Sequence, residues 1–272
     1  MHLMRSTRGF TLVEIAIVLL IISLLLGAIL VPLGSAFEES QRTGVKRQLE
    51  EVGEALIGFA VSRGRLPCPA TGDSNGEEVI LDTASGQCEE FHGFVPAVTL
   101  GLLGETNADG LLVDIWNNPL RYSVTDTDDD GDGLFDFTFA GGMRAAGIAV
   151  LDPDFVICTS GTTSIGCPDI GGDGNTLRAN QIPAVVLSMG KDWREFDGID
   201  QLANAGEDIS GGVFDDTLTG GNTSIEYPIP ANDVFVAKPY TQIDGDEKFD
   251  DLVYWISENI LYTRMLQAGV LP

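Results

Sequence analysis

The sequence has 272 residues, of which 44% are hydrophobic and 33 are glycine, and its formal net charge is −26. This composition is sufficient for one globular body of roughly 200 residues, and the many glycines favour a β-rich one. Because 15 Lys and Arg stand against 41 Asp and Glu, the charge argues strongly against nucleic acid as a partner. An acidic surface can concentrate cations, although adaptation to high salt explains the same excess equally well.

The N-terminal stretch combines two basic residues with a long apolar run. Residues 15–33 are 19 consecutive positions without a charge, close to the ~20 residues that cross a bilayer as a helix and longer than the roughly 7–15 of a secretory signal. Arg5 and Arg8 precede this run and acidic residues follow it. The positive-inside rule then predicts a cytoplasmic N-terminus and a single-pass anchor, with the rest of the chain outside the cytoplasm.

Glu14 lies near the start of the apolar run, where an unpaired carboxylate costs roughly 2–3 kcal/mol. The segment 8–14, Arg-Gly-Phe-Thr-Leu-Val-Glu, resembles the class III signal of type IV pilins and type II secretion pseudopilins. The resemblance implies that a prepilin peptidase cuts between Gly9 and Phe10 and methylates the Phe10 amine. It also implies that Glu14 pairs with the N-terminal amine of a neighbouring subunit, as an assembly platform in the inner membrane draws subunits into a filament.

Two alternatives to a prepilin signal remain open at this point. Residues 34–36, Gly-Ser-Ala, form a small-x-small site at which a conventional signal peptide could be cut after Ala36. The run could also be a plain single-span anchor. The first alternative would place an acid inside the apolar region of a signal peptide, and it would leave the match over residues 8–14 to chance.

The helical pattern continues beyond the apolar run. Pro32 can bend the helix without ending it, and a helical stripe of apolar residues follows, made of Val45, Leu49, Val52, Leu56, Phe59 and Ala60. We therefore predict a helix from Phe10 to about Arg63. The predicted organisation is a cleaved leader at 1–9, a transmembrane helix at 10–33, an amphipathic helix at 34–63 and a β-rich periplasmic or extracellular domain at 64–272.

The remaining chain has dense glycine and aspartate punctuation between short apolar runs, which is typical of an antiparallel sheet. The predicted strands are 93–103, 111–116, 120–124, 135–140, 147–151, 155–158, 184–189 and 251–256. A C-terminal helix is predicted between Ser257 as N-cap and Gly269 as C-cap. Residues 198–232 are glycine-rich and acidic, which indicates an extended surface loop. The predicted fold class is α+β, and the resemblance implies a pilin-like α/β roll with the long helix packed on the sheet.

The cysteines indicate two disulfides, because their number is even and the predicted compartment is oxidising. They are Cys68, Cys88, Cys158 and Cys167. Of the three possible connectivities we expect pairing between sequence neighbours, the first with the second and the third with the fourth. Zinc is the weaker alternative, because the chain has no CxxC pair and its histidines are only His2 and His92.

Residues 128–136 fit the pattern D-x-D-x-D-G-x-x-D, in which alternating carboxylates around a glycine turn can direct oxygens at one centre. Hard oxygen ligands at this density suit Ca²⁺. The predicted ligands are Asp128, Asp130, Asp132 and Asp136. A full EF-hand would need an acid at the twelfth loop position, which is Phe139, so the match is to shorter calcium loops. The alternative is a solvated hairpin turn between strands.

A second acidic group precedes the last predicted strand. Its members are Asp244, Asp246 and Asp250, with Asp251 beside them. We consider a second calcium site there, and the alternative is a charged turn.

Signatures of catalysis are weak in this sequence, and we predict that the chain is not an enzyme. Ser188 lies in Leu-Ser-Met-Gly, which lacks the first glycine of GxSxG, and His92 has no evident nucleophile near it in sequence. No P-loop pattern occurs. Paired carboxylates carry little information among 41 acids.

Two further segments resemble prepilin-like proteins. Residues 114–122, Asp-Ile-Trp-Asn-Asn-Pro-Leu-Arg-Tyr, are similar to the Asp-x-Trp-x-Asn-Pro-x-x-Tyr segment of major pseudopilins, with Asn117 where that family usually has glycine. The segment also has a purely structural interpretation, a proline turn between strands with Trp116 and Tyr122 packed. The last residues, 249–272, resemble the end of many prepilin-like chains.

The resemblance predicts a minor pilin or minor pseudopilin, a structural subunit of a type IV pilus or of a type II secretion-type filament. The chain is larger than the major subunits of that family, which favours a minor one. The largest minor pseudopilins characteristically lack the glutamate that this chain keeps at position 14, which argues against that role. The alternative is a filament-tip adhesin or other ligand-binding protein with a calcium-stabilised ectodomain.

Overall fold

The computed structural model describes residues 11–160, 167, 176–191, 200, 204, 233–241 and 248–272, with the backbone alone for 26–36. These residues form two compact units, one up to Gly44 and one from Val45 to Pro272. The acidic segment predicted at 198–232 lies outside the described residues apart from Asp200 and Asn204.

Helix α1 runs from Leu12 to Arg63 and contributes to both units. Its backbone stays helical through Pro32, as the sequence predicts. Within the part of the chain that the structure describes, no helix combines the length and hydropathy needed to cross a membrane. The span predicted at 10–33 stays a prediction, and Phe10 and the side chains of 26–36 lie outside the described residues.

The second unit is built on a four-stranded antiparallel sheet in the order β3-β4-β7-β9. Its strands are His92–Phe94 (β3), Arg121–Val124 (β4), Ala184–Ser188 (β7) and Leu252–Ile256 (β9). Strands β4, β7 and β9 confirm the predicted strands 120–124, 184–189 and 251–256. The central strands β4 and β7 are buried along their whole length.

One face of this sheet is covered by the apolar stripe of α1. Five of the six predicted stripe residues are at most 2% exposed and share a core cluster with Tyr122 and Val186 of the sheet. The exception is Phe59, which is half-buried and stacks against the Arg65 guanidinium, 5.1 Å from the ring centre. Ile57 is buried in its place. Gly53 allows close contact with the sheet, because a Cβ there would overlap the ring of Tyr254.

The opposite face is covered by a three-stranded sheet in the order β6-β5-β8. Its strands are Phe155–Cys158 (β5), Leu177–Ile182 (β6) and Val234–Val236 (β8), with β5 antiparallel to β6 and parallel to β8. Val185 and Leu187 of β7 share a core with Phe155 and Phe235, whereas Ala184 and Val186 face α1. Since neighbouring side chains of a strand point to opposite faces, a strand buried on both sides lacks polar alternation.

Several predicted strands are wrong. Segment 93–103 holds the end of β3 and a short helix, Ala97–Leu100 (α2), while 135–140 and 147–151 form turns and 111–116 makes only isolated bridges. Some of their apolar residues are buried, but burial does not require a ladder: Phe137 and Leu111 are 0% exposed without belonging to a strand. Others are exposed, such as Leu103 at 98% and Ile115 at 56%. The apolar runs therefore indicated some core positions and incorrectly indicated extended pairing.

The sequence missed several elements. They include the hairpin of Ile80–Asp82 (β1) and Gln87–Cys88 (β2), helix Gly142–Ala146 (α3), and strands β6 and β8. The C-terminal helix is Glu258–Gln267 (α4), with Ser257 as N-cap as predicted. Its C-cap is Ala268, one residue before the predicted Gly269, which follows in the left-handed conformation with φ 73°.

Candidate functional site

The predicted processing site lies at the edge of the described chain. Gly9 and Phe10 are outside the described residues, whereas Glu14 lies in the first turn of α1. The Glu14 amide donates to Thr11 Oγ1 at 3.2 Å and the Thr11 amide donates to Glu14 Oε2 at 3.4 Å. This reciprocal pair is a capping box at the helix N-terminus. The apolar side chains that surround it are exposed, among them Leu12, Val13 and Ile15.

The aspartate loop, residues 128–136, brings three of its four predicted ligands together. Side-chain oxygens of Asp128, Asp130 and Asp132 all lie within 4.8 Å of one another, and the three residues are exposed. Two oxygens bound to one Ca²⁺ can be at most about 5 Å apart, since calcium–oxygen distances are 2.3–2.6 Å. The spacing of the three carboxylates therefore fits one calcium ion.

The loop is held in this shape by its own backbone. Asp128 Oδ1 accepts hydrogen bonds from the amides of Gly131 (2.9 Å) and Asp132 (3.1 Å), and Asp128 Oδ2 accepts one from Gly133 (2.9 Å). Gly131 and Gly133 have φ of 74° and 86°, which only glycine adopts readily. The sequence pattern D-x-D-G-D-G at this point is thus explained by the turn geometry as well as by ligand chemistry.

Asp136, the fourth predicted ligand, is not part of the triad. It is 1% exposed, and its Oδ2 accepts a hydrogen bond from the Asp129 amide at 2.8 Å. The pKa of this carboxyl is raised to about 6, mainly by burial and also by the neighbouring loop carboxylates, against the opposing effect of that hydrogen bond. In this structure Asp136 supports the loop from beneath.

The second predicted acidic group is only partly described, because Asp244 and Asp246 lie outside the described residues. Asp250 is buried, and its Oδ2 accepts a hydrogen bond from the Lys191 amide at 2.6 Å. Asp251 is buried too and accepts one from the Asn204 side chain at 2.8 Å. The described members thus hold loops together.

The four cysteines form two disulfides, Cys68–Cys88 and Cys158–Cys167, with no free cysteine among the described residues. Cys68 and Cys88 are both buried against the α1 core. The pairing between sequence neighbours is the one that the sequence predicts, so zinc ligation by these thiols does not occur in this structure.

A buried polar network that sequence reasoning missed surrounds residues 114–118. Ser188 donates to Asp114 Oδ2 at 2.6 Å, and Asp114 Oδ1 accepts hydrogen bonds from the amides of Trp116 and Asn118, each at 2.9 Å. Burial raises the pKa of Asp114 despite these donors. Asn117 has φ 65°, which explains why glycine suits this position and why asparagine is tolerated. In this structure the network holds the turn at residues 114–118 in place.

His92, which has no nucleophile near it in sequence, has one in space. Its Nδ1 lies 2.9 Å from Ser123 Oγ across the β3–β4 pair, and its ring packs against Phe155 and Phe235 between the two sheets. Burial lowers the pKa of His92 to about 4, with a smaller contribution from Arg121. The half-buried imidazole links the two sheets through Ser123 and the two aromatic rings, which is a structural role.

Comparison with known proteins gives one match. Residues 4–30 match the model of the prokaryotic N-terminal methylation motif, the signature of type IV pilin- and pseudopilin-type proteins. Proteins with this motif are structural subunits. No curated protein and no solved structure matches the chain significantly.

Replacing Ser188 by alanine should destabilise the domain by about 1–3 kcal/mol, because Asp114 would keep its buried carboxylate and lose a donor. Urea unfolding at neutral pH measures this change. Ser62→Ala is the control, because the exposed Ser62 hydroxyl donates to the Phe59 carbonyl within α1. Its loss should change the free energy of unfolding by less than about 0.5 kcal/mol. Equal stability of Ser188→Ala and the parent would mean that the network contributes nothing.

Proposed function

We propose, from the methylation motif at residues 4–30, that this chain is a minor subunit of a type IV pilus or a type II secretion-type filament. A prepilin peptidase cuts it between Gly9 and Phe10 and methylates Phe10. The mature subunit is held in the inner membrane by residues 10–33 and then enters a filament with other pilin-type subunits through the N-terminal part of α1.

The motif match is the single observation that carries this proposal, and the chemistry of the first helical turn supports it. Glu14 stands among exposed apolar side chains, and an ionised carboxylate in such surroundings needs a cation once water is excluded. Cleavage before Phe10 creates an α-ammonium of the required charge. In the single subunit the carboxylate instead accepts a weak hydrogen bond from the Thr11 amide, which an incoming ammonium from a neighbour can replace.

The fold of the second unit supports a pilin-type subunit. The α1 stripe from Val45 to Ala60 is buried against an antiparallel sheet, the arrangement that the resemblance implies for a pilin-like roll. The three-stranded sheet and the aspartate loop add bulk to it. A bulky ectodomain is easier to accommodate at a few filament positions, such as the tip, than at every repeat, which favours a minor subunit.

We also propose that the aspartate loop binds Ca²⁺ through Asp128, Asp130 and Asp132. The spacing and the exposure of the three carboxylates support this assignment. Extracellular calcium sites bind with Kd values of roughly 10⁻⁴–10⁻³ M, so a site outside the cytoplasm does not need high affinity. The ion would neutralise repulsion among the loop carboxylates and so stabilise the ectodomain.

Gly9→Val should block maturation, because a branched side chain at the cleavage position obstructs the peptidase. Mass spectrometry of the parent should find an N-terminus at N-methylated Phe10, and Gly9→Val should keep residues 1–9. Thr7→Val is the control, because it places the same side chain elsewhere in the leader, and it should be processed. A mature parent that starts at Phe37 would establish a conventional signal peptide and refute the proposed function.

Calcium at about 10 mM should raise the melting temperature of the ectodomain by roughly 5–10 °C. This concentration is about 100 times a Kd of ~10⁻⁴ M, which lies in the range of extracellular calcium sites, and it stabilises the folded state by about 2.7 kcal/mol. The Asp130→Ala, Asp132→Ala double variant should lose this shift. Glu50→Ala with Glu51→Ala removes the same charge from the exposed face of α1 and should retain it. A parent melting curve that is identical in EGTA and in calcium would leave the solvated turn as the correct interpretation.

A further inference from the structure

Residues 135–139 include the last two residues of the aspartate loop and the three that follow it. They lie between two separate segments of the chain. On one side the Leu66 amide donates to the Phe137 carbonyl at 2.7 Å. On the other side the Phe135 amide donates to the Ser85 carbonyl at 2.9 Å, and the Thr138 hydroxyl donates to the Gly86 carbonyl at 2.7 Å. Three of the hydrogen bonds made by residues 135–139 thus go to these two flanking segments.

The disulfide Cys68–Cys88 joins the same two segments. Cys68 follows Leu66 by two residues, and Cys88 follows Gly86 by two. The contact is tight at Gly86, where φ is 78° and an added Cβ would lie 2.5 Å from the Phe139 amide nitrogen. The covalent bond therefore fixes the separation of the two segments that enclose residues 135–139.

The shape of the aspartate loop depends on this enclosed segment. The Asp136 amide donates to the Thr127 carbonyl at 3.0 Å, and Asp136 Oδ2 accepts from the Asp129 amide at 2.8 Å. Phe135 also packs its ring 5.0 Å from that of Phe91, which follows Cys88 by three residues. If residues 135–139 were released, the two ends of the loop would no longer be held together.

We propose that the Cys68–Cys88 disulfide is a conformational device that keeps the aspartate loop ordered. With the bond in place, the two flanking segments hold residues 135–139 and the loop carboxylates stay gathered. Without it, the hairpin of β1 and β2 can move away from Leu66, and the loop opens locally while the core of α1 and the sheet persists. The cysteines are buried, so the bond is not a readily reducible surface link.

Cys158–Cys167 provides a matched control, because it is a second disulfide in the same ectodomain and begins at the end of β5 in the other sheet. Hydrogen exchange of the full chain in detergent, followed by mass spectrometry without calcium, tests the proposal independently of metal binding. In Cys68→Ala with Cys88→Ala, amides of residues 128–139 should exchange at least tenfold faster than in the parent. In Cys158→Ala with Cys167→Ala they should exchange at the parent rate. Equal protection of residues 128–139 in both double variants would overturn the proposal.

Thr138→Val gives a test that keeps both disulfides and the core intact. It removes the hydroxyl that donates to the Gly86 carbonyl with little change of shape, so the same amides should exchange about fivefold faster, the effect of losing one hydrogen bond. Thr99→Val, which removes the hydroxyl bonded to the Glu78 amide, should leave them unchanged. No change in Thr138→Val would contradict the proposed connection between the flanking segment and the loop.

The calcium measurement on the same variants rests on the proposed calcium site, whereas the exchange measurement does not. A parent that shows no calcium shift, together with faster exchange in the Cys68 and Cys88 double variant, would refute the metal site and leave this inference standing. A calcium shift that is as large in that variant as in the parent would refute the inference and leave the metal site standing, because an opened loop must bind the ion more weakly.

Discussion

The position of one carboxylate in an apolar helix constrains this molecule more than any other feature. Glu14 is accommodated in the single subunit by a capping box with Thr11, through hydrogen bonds of 3.2 and 3.4 Å. Only the 3.4 Å bond reaches the carboxylate, and an amide donor does not neutralise its charge. In apolar surroundings an uncompensated charge is costly, so burial of this helix in a filament would require a cation beside it. On the proposed function, that cation is the new N-terminus of another subunit.

The second half of the same helix, from Val45 onward, packs on the sheet of the second unit. The α1 stripe covers one face of the four-stranded sheet, and the three-stranded sheet covers the other, so that β7 contributes alternate residues to two cores. A strand fixed on both faces cannot shift register without exposing apolar side chains. Two disulfides and the buried polar contacts of Asp114 and Asp250 cross-link further described segments of this unit.

The sequence predicted the features that depend on local chemistry. The helix through Pro32 and the N-cap at Ser257 follow from periodicity and a capping residue within the segment itself. The strands β4, β7 and β9 follow from short apolar runs bounded by turn residues. The sequence could not predict whether a buried run such as 111–116 pairs with another strand, because pairing depends on partners distant in the chain. The same limit applies to the site: alternation located Asp128, Asp130 and Asp132, but only the fold could show that Asp136 turns inward to the Asp129 amide.

The most direct test of the account is the incorporation of Glu14 variants into filaments, measured by immunogold labelling of sheared filaments from cells that express each variant at matched levels. Glu14→Ala should be cleaved and remain in the membrane, yet be poorly incorporated, and Glu14→Asp, one methylene shorter, should be intermediate. Glu39→Ala removes an exposed acid elsewhere on α1 and should be incorporated like the parent. Normal incorporation of Glu14→Ala would contradict the central claim, because assembly would then not depend on the carboxylate.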